Sequence, residues 1–192
     1  MKEKLFEAVR NADMDTLKQL IAEGVDVNEK NENGYTILAF AAFFGHIEVT
    51  KLLIENSAVV NEKDKYDRTA LMYAIRSGNT EVMTLLLANG ADVNQKDRGS
   101  NTVLMYAAWL GHTKGAELLI ANGAEVNEKT KNGETALIYA ADFGNTEVAK
   151  LLLANGAKVN EKDKWGYTAL MLAATRRNAE VVELLKQHGA NE

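Results

Sequence analysis

The 192-residue chain has no cysteine and no proline. Without cysteine there is no disulfide framework, no thiolate metal site and no cysteine nucleophile. Without proline, no helix is interrupted by a ring that lacks a backbone donor. Histidine and serine each occur only three times, a thin supply for general-base or nucleophilic chemistry. No stretch approaches the roughly 18 apolar residues of a membrane span. The opening MKEKLFEAVRNADMDTLKQL is amphipathic and lacks the apolar core of a signal peptide. A cytoplasmic chain with no membrane attachment is expected. There is no excess of positive charge either. With 22 basic and 27 acidic residues the net charge is −5, so bulk attraction to phosphate backbones is missing and no nucleic acid is expected as a partner.

What is present is periodicity. Thr36, Thr69, Thr102, Thr135 and Thr168 stand 33 residues apart, and each opens a matching segment: TILAFAA, TALMYAI, TVLMYAA, TALIYAA and TALMLAA. Nine residues after the threonine comes Gly45, Gly78, Gly111 or Gly144, with Arg177 in the last copy. Twenty-one after it comes Gly90, Gly123, Gly156 or Gly189, with Ser57 as the exception, and twenty-five after it Asn61, Asn94, Asn127 or Asn160. Residues 1–33 hold a degraded copy with Ala8, Leu20, Gly24 and Asn28 in register.

Each slot has a physical reading. A threonine before an apolar run is a helix N-cap, its hydroxyl accepting from an unpaired backbone N–H. The helix that follows is short, and its paired alanines permit close approach to a neighbour. The glycine nine residues on ends it in a left-handed turn. A second helix follows, with apolar residues at helical spacing, as in HIEVTKLLIEN. Asn-Gly pairs such as Asn89-Gly90 stop it, and a polar loop leads to the next copy. Twelve of the fourteen glycines fall in three repeat slots, so glycine here is punctuation and forms no phosphate loop. One unit cannot bury its apolar face alone, so stability must come from stacking. The charged first unit and the last, which carries Arg177 and Lys186, are expected to be polar caps.

This 33-residue unit resembles the ankyrin repeat, whose opening signature is Thr-Pro-Leu-His followed by alanine. The resemblance spans the chain. The proline is missing throughout, and the histidine slot holds Ala39, Met72, Met105, Ile138 and Met171. It implies an all-α solenoid of six helix-turn-helix-hairpin units in a single domain, 1–192. The units are about 1–33 as N-cap, 34–66, 67–99, 100–132, 133–165 and 166–192 as C-cap.

Catalytic candidates are few. His46 and His112 share a slot in which the family has a structural histidine, and they lie two repeats apart, so convergence on a metal is not expected. Ser57 and Ser100 replace repeat glycines, and Ser77 ends a helix; none has a His–acid partner in view. Glu62, Glu128 and Glu161 recur in successive NEK loops, which reads as a solvated face. No catalytic residue, metal or cofactor is expected, and the chain is not expected to be an enzyme.

The aromatic residues point elsewhere. Apart from Phe6, all lie one or three residues before the threonine or four, seven or eight after it. In the ankyrin family those slots are hairpin tips and the inner-helix surface, which form the concave ligand-binding face. The resemblance therefore implies a scaffold that binds a partner protein or peptide there and acts as a monomer. The candidate contact residues are Tyr35, Phe43, Tyr66, Arg68, Tyr73, Arg76, Arg98, Tyr106, Trp109, Tyr139, Asp142, Phe143, Trp165 and Tyr167. Tyr73, Tyr106 and Tyr139 share one slot with Phe40, and either a structural ladder or a contact surface accounts for them. Lys65, Arg68, Arg76 and Arg98 belong to adjacent central repeats, and either a basic centre that takes an acidic peptide or scattered solvated charge accounts for them. Small-ligand binding, nucleic-acid binding and self-association through the same face are the alternatives.

Overall fold

The computed structural model describes residues 1–191, which form helices in pairs. The pairs are α1 (Lys2–Arg10) with α2 (Met14–Ala22), α3 (Ile37–Phe44) with α4 (Ile47–Glu55), and α5 (Ala70–Arg76) with α6 (Thr80–Ala88). They continue with α7 (Val103–Leu110) and α8 (Thr113–Ala121), α9 (Ala136–Phe143) and α10 (Thr146–Ala154), and α11 (Ala169–Thr175) and α12 (Ala179–Gln187). Among the described residues the only extended pairings are two isolated antiparallel bridges, Lys30 with Thr36 and Lys162 with Thr168, at the necks of hairpins. No described helix is long and apolar enough to cross a membrane. The fold is an all-α repeat, with one helix pair per 33 residues. It divides into two compact units of three pairs each, Met1–Arg98 and Gly99 onward.

The threonine slot starts the first helix of the five later pairs as expected. Thr36, Thr102, Thr135 and Thr168 accept from the N–H three residues on. At Thr102 the cap is reciprocated, because the Met105 sulfur, in the slot where the signature has histidine, accepts from the Thr102 N–H. Thr69 departs from the pattern: its hydroxyl makes no cap bond and is buried without a partner.

Two leucine rows supply the core. Leu5, Leu38, Leu71, Leu104, Leu137 and Leu170 point inward from the first helices, and Leu20, Leu53, Leu86, Leu119, Leu152 and Leu185 from the second; none is more than 5% exposed. Burying such a side chain contributes about 1.5–3 kcal/mol. Between neighbouring first helices lie fully buried alanines, such as Ala41 and Ala42 or Ala140 and Ala141. Within each unit the first helices consequently pack more closely on one another than the second helices do.

The backbone keeps the glycine rhythm even where glycine is absent. All twelve repeat-slot glycines have positive φ. So do Ala12, Ser57, Asp67, Ser100 and Arg177, which occupy the five slots from which glycine is missing. An L side chain in the left-handed region costs on the order of 1–2 kcal/mol, so stacking holds the turn there against local preference. Space decides the matter at Gly45, where an added methyl would stand 2.5 Å from the Asn79 Oδ1.

Asparagines tie neighbouring repeats together. Asn28, Asn61, Asn127 and Asn160 each donate to a carbonyl of the next repeat (Ser57, Gly90, Gly156 and Gly189). Each also accepts from the N–H two residues beyond that carbonyl, at Val59, Asp92, Lys158 and Asn191. A second set reaches back. Asn79, Asn145 and Asn178 donate to carbonyls at the end of the preceding first helix, Ala42 and Phe43, Ala108 and Trp109, Ala141 and Asp142. The NEK glutamates, expected to be solvated, join in: Glu62 pairs with Lys30, and Glu161 with Lys129 at 2.5 Å. The Lys129 ammonium holds the Glu161 carboxyl below the usual carboxylate range.

Candidate interaction face

The hairpins are shaped by one slot, five residues before the threonine. There the Oδ1 of Asp64 accepts from the N–H groups of Tyr66 at 2.7 Å and Arg68 at 2.9 Å. Asp163 does the same for Trp165 at 2.9 Å and Tyr167 at 2.8 Å. Thr130 and Asn31 fill this role in their own loops. A short side chain that accepts from the backbone two and four residues on is a turn-former, and it fixes the residues of the tip. Adjacent tips are joined through the backbone, Arg98 N–H to the Tyr66 carbonyl and Lys164 N–H to the Asn132 carbonyl.

In the first unit the tips and first helices carry a connected aromatic cluster. Phe6 meets Phe40, Phe40 meets Phe44, Phe44 meets Phe43, and Phe43 leans on Tyr73, which also meets Tyr35 edge to face at 5.6 Å. Phe43 and Tyr66 are exposed and Tyr35 is half-buried. Tyr73 is only 7% exposed, so its ring belongs largely to the core and reaches the surface only where it lines the hollow described below. Its hydroxyl donates to Asp64 Oδ2 at 2.6 Å, and burial, with that carboxylate, pushes its pKa far above the usual phenol value. Lys65 and Arg68 both lie over the Tyr66 ring, at 5.1 and 4.9 Å. Arg98 is exposed beside Asp67 at 3.5 Å, whereas Arg76 is half-buried. Tyr35, Phe40, Phe43 and Tyr73 enclose a hollow of about 230 Å³ that Arg68 and Arg76 complete.

The second unit places its candidates differently. Trp109 and Phe143 are exposed and in contact, ring centroids 5.9 Å apart. Tyr106, at 6% exposed, packs beside Trp109 as core and supports that exposed ring. Tyr139 is half-buried, its hydroxyl within reach of Glu134 Oε2 at 3.1 Å and Asn101 Oδ1 at 3.2 Å. The shared tyrosine slot is therefore structural at Tyr73 and Tyr106. Asp142 is engaged by Arg176, Nε to Oδ1 at 2.7 Å, a pair the sequence reading missed because it followed only the aromatic residues of the slot eight after the threonine, which Arg176 fills in the last repeat. Trp165 and Tyr167 are the most open aromatic residues of the tips, 59% and 49% exposed, with the Lys164 ammonium 4.3 Å above the Trp165 ring.

Two of the histidines hold the scaffold. His46 Nε2 bonds the Arg10 carbonyl at 3.1 Å and its ring stacks on Phe44, which puts it in the same interface slot as Asn79, Asn145 and Asn178. His188 Nδ1 bonds the Leu184 carbonyl. Among the described residues no cluster of three or more histidines and carboxylates is placed to hold a metal ion.

Models of known families agree with this architecture. One described as ankyrin repeats in three copies matches residues 5–97 and again 104–192, and a second, ankyrin repeats in many copies, matches 76–120. No characterised protein matches the chain at a significant level.

Proposed function

Since the chain belongs to the ankyrin repeat family, whose members are in general protein-interaction modules, we propose that it captures a partner protein or peptide on its hairpin tips and first helices. One observation carries this reading. Of the large apolar residues exposed among those described, only Met1 and Val59 lie elsewhere; Phe43, Phe44, Tyr66, Trp109, Leu110, Phe143, Trp165 and Tyr167 are all on tips or first helices. Exposed apolar surface gathered on the tips and first helices of each unit is characteristic of binding faces, and tyrosine and tryptophan are frequent energetic anchors there. The second helices expose leucine and valine sparingly and present glutamate and lysine to solvent. On this reading the protein acts as a cytoplasmic monomer and performs no reaction of its own.

The test compares what wild type and variants retain from a cell extract, quantified by mass spectrometry. Trp109→Ala and Tyr66→Ala should each deplete retained proteins by roughly tenfold or more. Glu81→Ala, on a second helix, should deplete none, and circular dichroism should be unchanged in all three. An identical retained set for every variant would refute the reading.

A further inference from the structure

Charge is segregated in the unit Met1–Arg98. Hairpin residues 30–35, 63–68 and 96–98, together with α3 and α5, carry seven basic and four acidic residues. The segments bearing its second helices, 11–29, 45–62 and 77–95, carry two basic and ten acidic residues. A chain of net charge −5 thus keeps a positive strip on the side where its aromatic residues are exposed. The 230 Å³ hollow lies within that strip, and no carboxylate lines it. Its charged members, Arg68 and Arg76, are both cationic; its remaining wall is chiefly Tyr35, Phe40, Phe43 and Tyr73.

From this juxtaposition we infer that the hollow seats one bulky apolar side chain of an acidic peptide segment, with carboxylates flanking that side chain drawn to Arg68, Arg76 and Lys65. The inference rests on the protein-capture reading above and supplies the chemistry of the partner. Size separates a side chain from a small molecule. Sites that enclose small ligands run to about 300–1,000 Å³, which this hollow does not reach. Geometry separates a peptide from a nucleic acid. Tyr73, packed edge to face with Tyr35 and Phe43 at 89° and 82°, is only 7% exposed, so its ring face is not open to stack on a base. The acidic second-helix segments would also repel phosphates running past the strip. A carboxylate held by arginine beside an apolar anchor, by contrast, uses both features of the wall at once.

The experiment pans a random dodecapeptide phage library on the whole protein. The expected consensus is one Phe, Leu or Trp with Asp or Glu on both sides. Synthetic peptides of that consensus should lose roughly tenfold or more in affinity when tested with Phe43→Ala or Arg76→Gln. They should bind Phe143→Ala like wild type, and their affinity should fall as salt rises. Phe43 is exposed and Arg76→Gln keeps the aliphatic stem and a polar end in a residue of good helix propensity, so circular dichroism should match wild type in both. A consensus without acidic residues, or acidic peptides indifferent to Phe43 and Arg76, overturns the inference while leaving protein capture standing. Stronger competition by single-stranded oligothymidylate than by the peptides overturns it in favour of nucleic acid. Failure of the library to enrich any sequence overturns the inference and leaves capture of a folded protein to the retention test above.

Discussion

The units Met1–Arg98 and Gly99 onward share a scaffold and differ in surface. Both contain three helix pairs, the same leucine rows and the same asparagine ties. In the first unit the hairpin side is basic and the opposite side acidic. In the second, hairpins 129–134 and 162–167 with α7, α9 and α11 hold four basic and three acidic residues. Segments 111–128, 144–161 and 176–191 hold six and seven, so charge is nearly balanced. The aromatic residues differ too: a partly enclosed cluster around Tyr73 in the first unit, open Trp109, Phe143, Trp165 and Tyr167 in the second. The lesson is that slots touching a neighbouring repeat are constrained by packing, while slots facing outward are free to specialise unit by unit.

The harshest way to break this comparison is to remove the last helix pair. Deleting residues 166–192 strips α11 and α12 from α9 and α10 and exposes the apolar layer around Leu137. Both tryptophans lie outside the first unit and survive the deletion, so fluorescence reports on the second unit while circular dichroism reports on both. In urea the fluorescence transition should move to lower denaturant than in the full chain, with much of the ellipticity persisting beyond it, and the truncated chain should associate more readily. Loss of all helix without denaturant would mean that the units are not the stacked repeats described here.

A gentler probe asks whether the scaffold is equivalent in both units. Asn61→Ala and Asn127→Ala each remove one donated and one accepted bond at matching positions. Each should cost about 1–3 kcal/mol by denaturant titration, with the two values close together. A large difference would contradict the shared scaffold. Smaller still is the gain from restoring glycine where the backbone already behaves as though it were present. Ser57→Gly and Arg177→Gly should each raise stability by about 1 kcal/mol, seen as a higher urea midpoint. The smallest effect is expected at Thr69. Thr36→Val should cost about 1 kcal/mol through its lost cap, whereas Thr69→Val should be nearly neutral, since its hydroxyl bonds nothing.

Much of the fold was legible because its signals are local and repeated. Threonine caps, glycine turns and leucine spacing recur every 33 residues, and each follows from the backbone needs of a single helix pair. The inter-repeat ties were not legible, since their meaning depends on what the next repeat places opposite. Asn61 was visible as a periodic residue, but nothing in the string identifies its partner carbonyl at Gly90. The slot of His46 and Asn79 was harder, because two residue types perform one task there. Glu62 and Glu161 read as solvated because salt bridges between repeats leave the same pattern as plain surface charge. For the face, slot position correctly brought Phe43, Tyr66, Trp109, Phe143, Trp165 and Tyr167 to the surface. It could not foresee the burial of Tyr73 and Tyr106, because an aromatic ring on a first helix is covered or open according to its neighbours' sizes.

The claim that partners bind on tips and first helices is tested most directly by amide chemical-shift mapping of the isotope-labelled protein as it is titrated with a selected peptide or captured partner. The account predicts perturbations at Tyr66, Arg68 and the exposed ends of α3 and α5, together with tip residues such as Trp165 where the partner is large enough to reach them. Amides of α2, α4, α6, α8, α10 and α12 should hardly move. Perturbations concentrated on those second helices, with the hairpin tips unchanged, would contradict it.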